Sequence, residues 1–191
     1  MRGYAAAVAK PNNDCLLVID TQRGLDDPSY GARSTPTAER NIARLLKAWR
    51  DASRPVVHVR HLSVRATSPL RPDGPGVDFK PEALPLAGEE VYDKSTNSAF
   101  IGTTLEEDLR ARGIDTLVVA GLTTDHCVSS TVRMAADLGF AVIVVADACA
   151  THERRGHDGQ LVSAADMHRS ALASLSGEFA AVLDTDAILR T

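Results

Sequence analysis

The chain has 191 residues, 44% hydrophobic and 24% charged, enough for one domain spanning residues 1–191 with a sizeable core. A net charge of -4 with no basic stripe argues against a nucleic-acid partner, and no apolar run approaches the roughly 20 residues needed to span a bilayer. Three cysteines without close spacing indicate neither a disulfide framework nor a zinc motif, and the start of the chain lacks a signal-peptide hydrophobic segment, so a cytoplasmic protein with free thiols is expected.

Residues 1–13 read as a loosely ordered lead-in. Cys15 to Ile19 is an unbroken apolar run, as in a strand covered on both faces, and Asp20 closes it. In open α/β sheets ligands bind at the carboxyl ends of strands, which makes Asp20 a site candidate; a turn or cap aspartate is the alternative. Residues 21–34 read as a loop. Thr35-Pro36 reads as a helix start, with Ile42, Leu45, Leu46 and Trp49 on one apolar face and Trp49 in the core. Pro55 to Leu62 reads as a second strand. His58 and His61 are three positions apart and so face opposite sides, which disfavours a shared metal and leaves them as polar residues at a strand end. Residues 63–88 carry five prolines and three glycines and read as a long loop, either a lid or interface segment or simple packing.

Glu90 to Asp93 reads as a short strand followed by Lys94, in the same topological place as Asp20; a solvated surface charge is the alternative. A polar loop, Ser95 to Ala99, closes on Phe100. Thr103 to Glu106 has a capping-box pattern opening a helix that Gly113 ends. Leu117 to Ala120 is again a continuous apolar run, broken by Gly121. Asp125-His126-Cys127 follows, with a helical pattern to Leu138. Cys127 is thereby delivered near a helix N-terminus, where the dipole and free N–H groups favour thiolate over thiol. Ala141 to Ala146 reads as a strand ending at Asp147, and residues 151–162 as a polar loop at the site edge or a subunit contact. Ser163 with Asp166 opens a helix, Phe179 to Leu183 is the last strand, and a short helix ends the chain. Cys15 and Cys149 read as small buried hydrophobes.

Strands and helices alternate throughout, which predicts an α/β, Rossmann-like three-layer fold: a parallel sheet with helices on both faces. After Asp20 the chain reads Thr-Gln-Arg-Gly, with no glycine-rich phosphate loop, so a dinucleotide site is not expected.

The strand to Asp20, the strand to Lys94, Val-Ala-Gly-Leu-Thr-Thr-Asp-His-Cys-Val, the Ser98–Leu105 run and the Gly139–Ala148 run together resemble the isochorismatase-like cysteine hydrolases over about residues 14–189. The resemblance implies a six-stranded parallel sheet in the order 3-2-1-4-5-6. It implies a catalytic triad of Asp20, Lys94 and Cys127, a cis peptide between Leu122 and Thr123, and an oxyanion hole from the backbone N–H groups of Thr123 and Cys127. Asp20 would act as general base for the Cys127 thiol, with Lys94 holding the carboxylate. The aspartate-x-histidine metal pattern of nicotinamidases is missing after the second strand, so no metal and no cofactor is implied. The favoured activity is hydrolysis of a small-molecule amide, ureido or lactam C–N bond through a thioester. An isochorismatase-type enol-ether hydrolase and a non-catalytic or redox binding module are the alternatives. Phe100, Thr123 and His126 are expected substrate contacts, with the Ser95–Phe100 loop and the loops at 63–88 and 151–162 as substrate walls; Asp147 and His126 are equally readable as structural. The resemblance further implies a homodimer or homotetramer.

Overall fold

The computed structural model of the chain describes residues 13–190. The predicted lead-in, residues 1–13, lies outside the described residues apart from Asn13. Six parallel strands form one sheet: β1 (Asp14–Ile19), β2 (Val56–His61), β3 (Glu90–Lys94), β4 (Thr116–Leu122), β5 (Ala141–Ala150) and, after a small antiparallel pair of β6 (Arg154–Arg155) and β7 (Leu161–Val162), β8 (Ala181–Leu183). Their order is β3-β2-β1-β4-β5-β8. With the β6–β7 hairpin set aside, this is the expected 3-2-1-4-5-6.

The sheet is covered on both faces. On one, Leu16 and Val18 of β1 meet Ile42, Leu45, Leu46 and Trp49 of α1 (Ala38–Asp51), with α5 (Thr185–Leu189) beside them. On the other, Leu17 and Ile19 meet Leu105 and Leu109 of α2 (Leu105–Ala111), Val132 and Ala135 of α3 (Ser129–Asp137) and Leu175 of α4 (Ala164–Leu175). Alternate β1 side chains thus enter two separate cores, which is why the strand is apolar at every position. Each fully buried Leu or Ile contributes about 1.5–3 kcal/mol of apolar burial.

Several boundaries move. α1 starts at Ala38 rather than Thr35-Pro36: Thr35 takes a left-handed conformation, φ 47°, and Thr37 holds the N-cap position without a side-chain cap bond. At α2, Thr104 holds the N-cap position without a side-chain cap bond, while the Thr103 hydroxyl accepts from Leu105 N at 3.4 Å and donates to the Ala99 carbonyl at 2.6 Å, closing the preceding loop. The Ser163 cap is present, accepting from Asp166 N at 3.1 Å. β5 runs four residues beyond its apolar stretch. Asp147 is tolerated there because its carboxylate accepts from Thr185 N and Oγ1 and from Asn41 Nδ2 at 2.7–2.9 Å, so it is a structural group. Among the described residues, no helix is long and apolar enough to cross a membrane.

Candidate active site

Strand register does the first part of the assembly. Ile19 of β1 lies opposite Val59 of β2 and Gly121 of β4, and His61 of β2 lies opposite Lys94 of β3. Lys94, His61 and Asp20 therefore come to neighbouring positions on the carboxyl edge of the sheet, and the segment after β4 brings Cys127 beside them. Asp20 leaves β1 with φ 48°, in the left-handed region where an aspartate is among the better-tolerated residues.

At this edge Lys94 Nζ donates to Asp20 Oδ2 at 2.7 Å and to His61 Nδ1 at 3.2 Å. The Lys94 and Asp20 side chains are 0% and 2% exposed. The other carboxylate oxygen of Asp20, Oδ1, is buried without a hydrogen-bond partner among the described residues. Donor atoms of Asp20, His61 and Cys127 all lie within 4.8 Å of one another. Those three residue types are metal ligands elsewhere, but Lys94 already places a cation against both Asp20 and His61, and a metal ion bound by these two would have to displace it.

Burial pushes the Asp20 carboxyl above the ordinary carboxylate range, with the Lys94 charge and hydrogen bond offsetting part of the rise. Burial, followed by the Asp20 charge, pushes the Cys127 thiol well above its usual value. Burial and the Asp20 charge thus favour the thiol, against the thiolate expected at a helix N-terminus. Cys127 lies in a π-helical turn, Thr124–Val128, one element before α3 begins. What the site holds is a thiol beside an unusually basic carboxylate, the arrangement for proton transfer from sulfur to Asp20. Cys15 and Cys149 are fully buried, and burial pushes both thiols up to about 12.

The turn carrying Cys127 is fixed from both ends. The peptide between Leu122 and Thr123 is cis. The Thr123 carbonyl accepts from His126 N and Val128 N at 3.2 Å each. Thr124 Oγ1 is 2.8 Å from His168 Nδ1 on α4. Asp125 accepts from Thr151 Oγ1 and, at 2.8 Å, from Arg154 Nε of the β6–β7 hairpin.

Above the thiol opens a cavity of about 490 Å³, lined by Asp20, His61, Thr123, His126 and Cys127, by Ser95, Thr96 and Asn97 after β3, by Tyr30, and by Ser63, Val64, Arg65 and Arg154. Asn97 Oδ1 is 3.9 Å from Cys127 Sγ. Thr123 and His126 are thus on the cavity wall. Phe100 is not. It is buried in the core beneath α2 and stacks on Phe140 with ring centroids 5.9 Å apart. The loop turns inward there because Ala99 N donates to Thr131 Oγ1 and Phe100 N to Ser98 Oγ, so its polar first half, not its aromatic end, faces the cavity.

The isochorismatase domain profile matches residues 14–187. The chain belongs to the isochorismatase family. It is 38% identical over 174 residues to the isochorismatase family protein YrdC of Bacillus subtilis, covering 91% of this chain and 93% of that one. The crystal structure of a hydrolase of the isochorismatase family from Chromobacterium violaceum superposes with a TM-score of 0.91 at 48% identity, over 95% and 94% of the two chains. Maleamate amidohydrolase of Pseudomonas putida is 31% identical over 165 residues, 76% of each chain. Within the isochorismatase family this chain is a cysteine hydrolase and not a nicotinamidase: the segment from Val57 to Ser63 carries no aspartate-x-histidine pattern.

His61 is a cavity residue that sequence reasoning did not find; Asn97, Arg65 and Arg154 lie in the Ser95–Phe100, 63–88 and 151–162 loops, which it expected as substrate walls without naming the residues. The signal for His61 was available: it is the last residue of β2 on the same edge as Lys94. Asn97, Arg65 and Arg154 come from irregular or hairpin segments whose direction has no periodicity to read.

Proposed function

We propose that this isochorismatase-family protein hydrolyses a C–N bond of a small, negatively charged amide through a thioester on Cys127. The observation that carries the reading is the buried Lys94–Asp20 pair, with one carboxylate oxygen free of any other partner beside the thiol. Asp20 takes the thiol proton, and the thiolate adds to the amide carbon. The carbonyl oxygen gains the negative charge, held by the backbone N–H groups of Thr123 and Cys127. Asp20 gives its proton to the nitrogen as the C–N bond breaks, and the amine or ammonia leaves. Water then loses a proton to Asp20 and adds to the thioester; the acid is released and the proton returns to sulfur. Lys94 keeps Asp20 oriented and balances its charge throughout.

The negative charge on the substrate is supported by the wall. Arg65 has no ion pair among the described residues, and only Nε and Nη2 of Arg154 are spent on Asp125. Among the cavity carboxylates only Asp20 is present, and Lys94 neutralises it. A carboxylate on the substrate fits those two guanidinium groups. Maleamate, from which one relative takes its name, is such a carboxylate-bearing amide. A homodimer or homotetramer, read by sedimentation, belongs to the same proposal.

The test is release of ammonia or amine from a panel of small amides, ureido acids and lactams in charged and neutral pairs. Wild type is expected to favour the carboxylate member, Cys127→Ala to lose about 10³-fold or more in kcat, and Asp20→Asn about 10²–10⁴-fold. Arg65→Ala is expected to raise KM about 10-fold, about 1.4 kcal/mol of binding. Activity that survives Cys127→Ala but dies with Asp20→Asn would instead indicate enol-ether cleavage by protonation.

A further inference from the structure

We propose that His61 is a positioning residue for Lys94 and for the substrate-side loop that follows it. This rests on the reading of Lys94 and Asp20 given above and deepens it. An ammonium group can only donate, so at 3.2 Å from Lys94 Nζ the Nδ1 atom of His61 must accept. The ring is then neutral, with its proton on Nε2. The backbone of Thr96 lies against the same ring and acts to raise its pKa, the sense of a carbonyl facing the imidazole. His61 therefore joins the end of β3 to the Ser95–Asn97 segment that supplies one cavity wall and brings Asn97 within 3.9 Å of Cys127 Sγ.

The backbone of His61 is as firmly held as its ring. Gln22 Oε1 accepts from His61 N at 2.8 Å, and Gln22 Nε2 donates to the carbonyls of His61 and Val77, each at 3.0 Å. With its main chain clamped in this way, the imidazole presents its Nδ1 as an acceptor to the lysine. The consequence is chemical. With Asp20 and His61 both accepting from it, the ammonium stays beside the base while Asp20 alternates between charged and neutral. Without the His61 acceptor, Lys94 has one fewer fixed partner each time Asp20 is protonated, and its charge is less firmly kept near the thiol.

The charged groups facing the ring are Lys94 of β3 and Asp20 at the end of β1. Burial and then the Lys94 charge hold His61 below the usual histidine range, so the ring keeps its acceptor through the neutral range.

Two variants separate this role from packing. His61→Asn retains a side-chain acceptor near the Nδ1 position, and His61→Leu fills the space without one. The first readout needs no substrate: the rate of Cys127 alkylation by iodoacetamide as a function of pH. In His61→Leu the alkylation rate at a given pH near neutrality is expected to fall about tenfold, because a loosened Lys94 no longer lowers the pKa of Asp20 and the thiol as strongly. In His61→Asn it is expected to stay near wild type. The second readout is turnover of whichever amide the wild type accepts: kcat is expected to fall about 10²-fold in His61→Leu with KM within about threefold, and to recover at least tenfold in His61→Asn. Equal losses in both variants, unchanged alkylation in both, or a change confined to KM would each overturn the proposal. Failure of the hydrolysis reading itself would show separately, as wild type without amidase activity or as activity surviving Cys127→Ala, with the alkylation profile still readable.

Discussion

Lys94 and Asp20 are almost wholly withdrawn from water, with side chains 0% and 2% exposed. Removing one member of such a pair leaves the other as an uncompensated buried charge, a cost of about 3–5 kcal/mol unless it neutralises itself. Lys94→Met is therefore expected to leave Asp20 protonated near neutrality. The direction follows from the native site. Asp20 is already raised by burial and is lowered only by Lys94, Cys127 and His61, so loss of the ammonium raises it further. A base must be ionised to work, so activity is lost as pH falls through the Asp20 pKa. The acid limb of kcat/KM in Lys94→Met is accordingly expected at higher pH than in wild type, with a larger deficit at pH 6 than at pH 9. An acid limb that does not move would contradict the role given to Lys94. At this scale the sequence was informative where a residue closes a strand. Asp20 and Lys94 stand at such ends and were found. His61 stands at one too, but was read only against His58 on its own strand, whereas its partners are on the neighbouring strands and the loop after β3. Phe100 was misplaced because an aromatic residue closing a polar loop suits a site wall and a core plug equally.

β4 and the turn after it carry the strictest local requirement. Gly121 has φ 131°, and a Cβ there would lie 2.0 Å from the Ile19 carbonyl oxygen of β1, directly before Asp20. Backbone on that side cannot yield as a side chain tip would. Gly121→Ala is expected to destabilise the fold by about 3 kcal/mol or more and to displace Asp20 from Cys127. Gly113→Ala, also at positive φ but with nothing within 4 Å, is expected to cost about 1 kcal/mol and to leave activity intact. Urea melts and turnover of the two variants would separate close packing from conformational preference. The strands were legible in the sequence because continuous apolar runs have few other uses in a chain of this composition. Boundaries were less so wherever tertiary partners override local signals: Asn41 and Thr185 let β5 continue through Asp147, and Thr35 is drawn out of its expected cap. The π-helical turn at Thr124–Val128 and the β6–β7 hairpin have no periodic signature. They are defined by long-range bonds such as Arg154 to Asp125.

Across the whole molecule, two apolar cores flank the sheet while the long segment between β2 and β3 is tied down by charge. Lys80 is 5% exposed and donates to Glu39 of α1 at 2.6 Å and to Asp26 at 2.5 Å, and Arg33 donates to Glu39 at 2.6 Å. Burial alone would raise the Glu39 pKa, but hydrogen bonds and charges from Arg33 and Lys80 override it and hold the carboxyl at about 2. A depressed carboxylate contributes stability above its unfolded pKa, near 4.5, and loses it as pH falls toward 2. Glu39→Gln is expected to lower Tm by about 3 °C at pH 7, with the gap to wild type closing between about pH 5 and pH 2. A gap that persists at pH 2 would mean that the loss is one of packing rather than charge. Networks of this kind were not legible in a loop rich in proline and glycine, since their members come from three separate stretches of chain. The central claim is that the protein acts through an acyl group on Cys127. Acid quenching during turnover of a carboxylate-bearing amide, followed by peptide mass measurement, tests it most directly. The predicted result is an added mass equal to the acyl part of the substrate on the Cys127 peptide, and no such adduct in Cys127→Ala. Full turnover in Cys127→Ala, with no adduct in either protein, would contradict it.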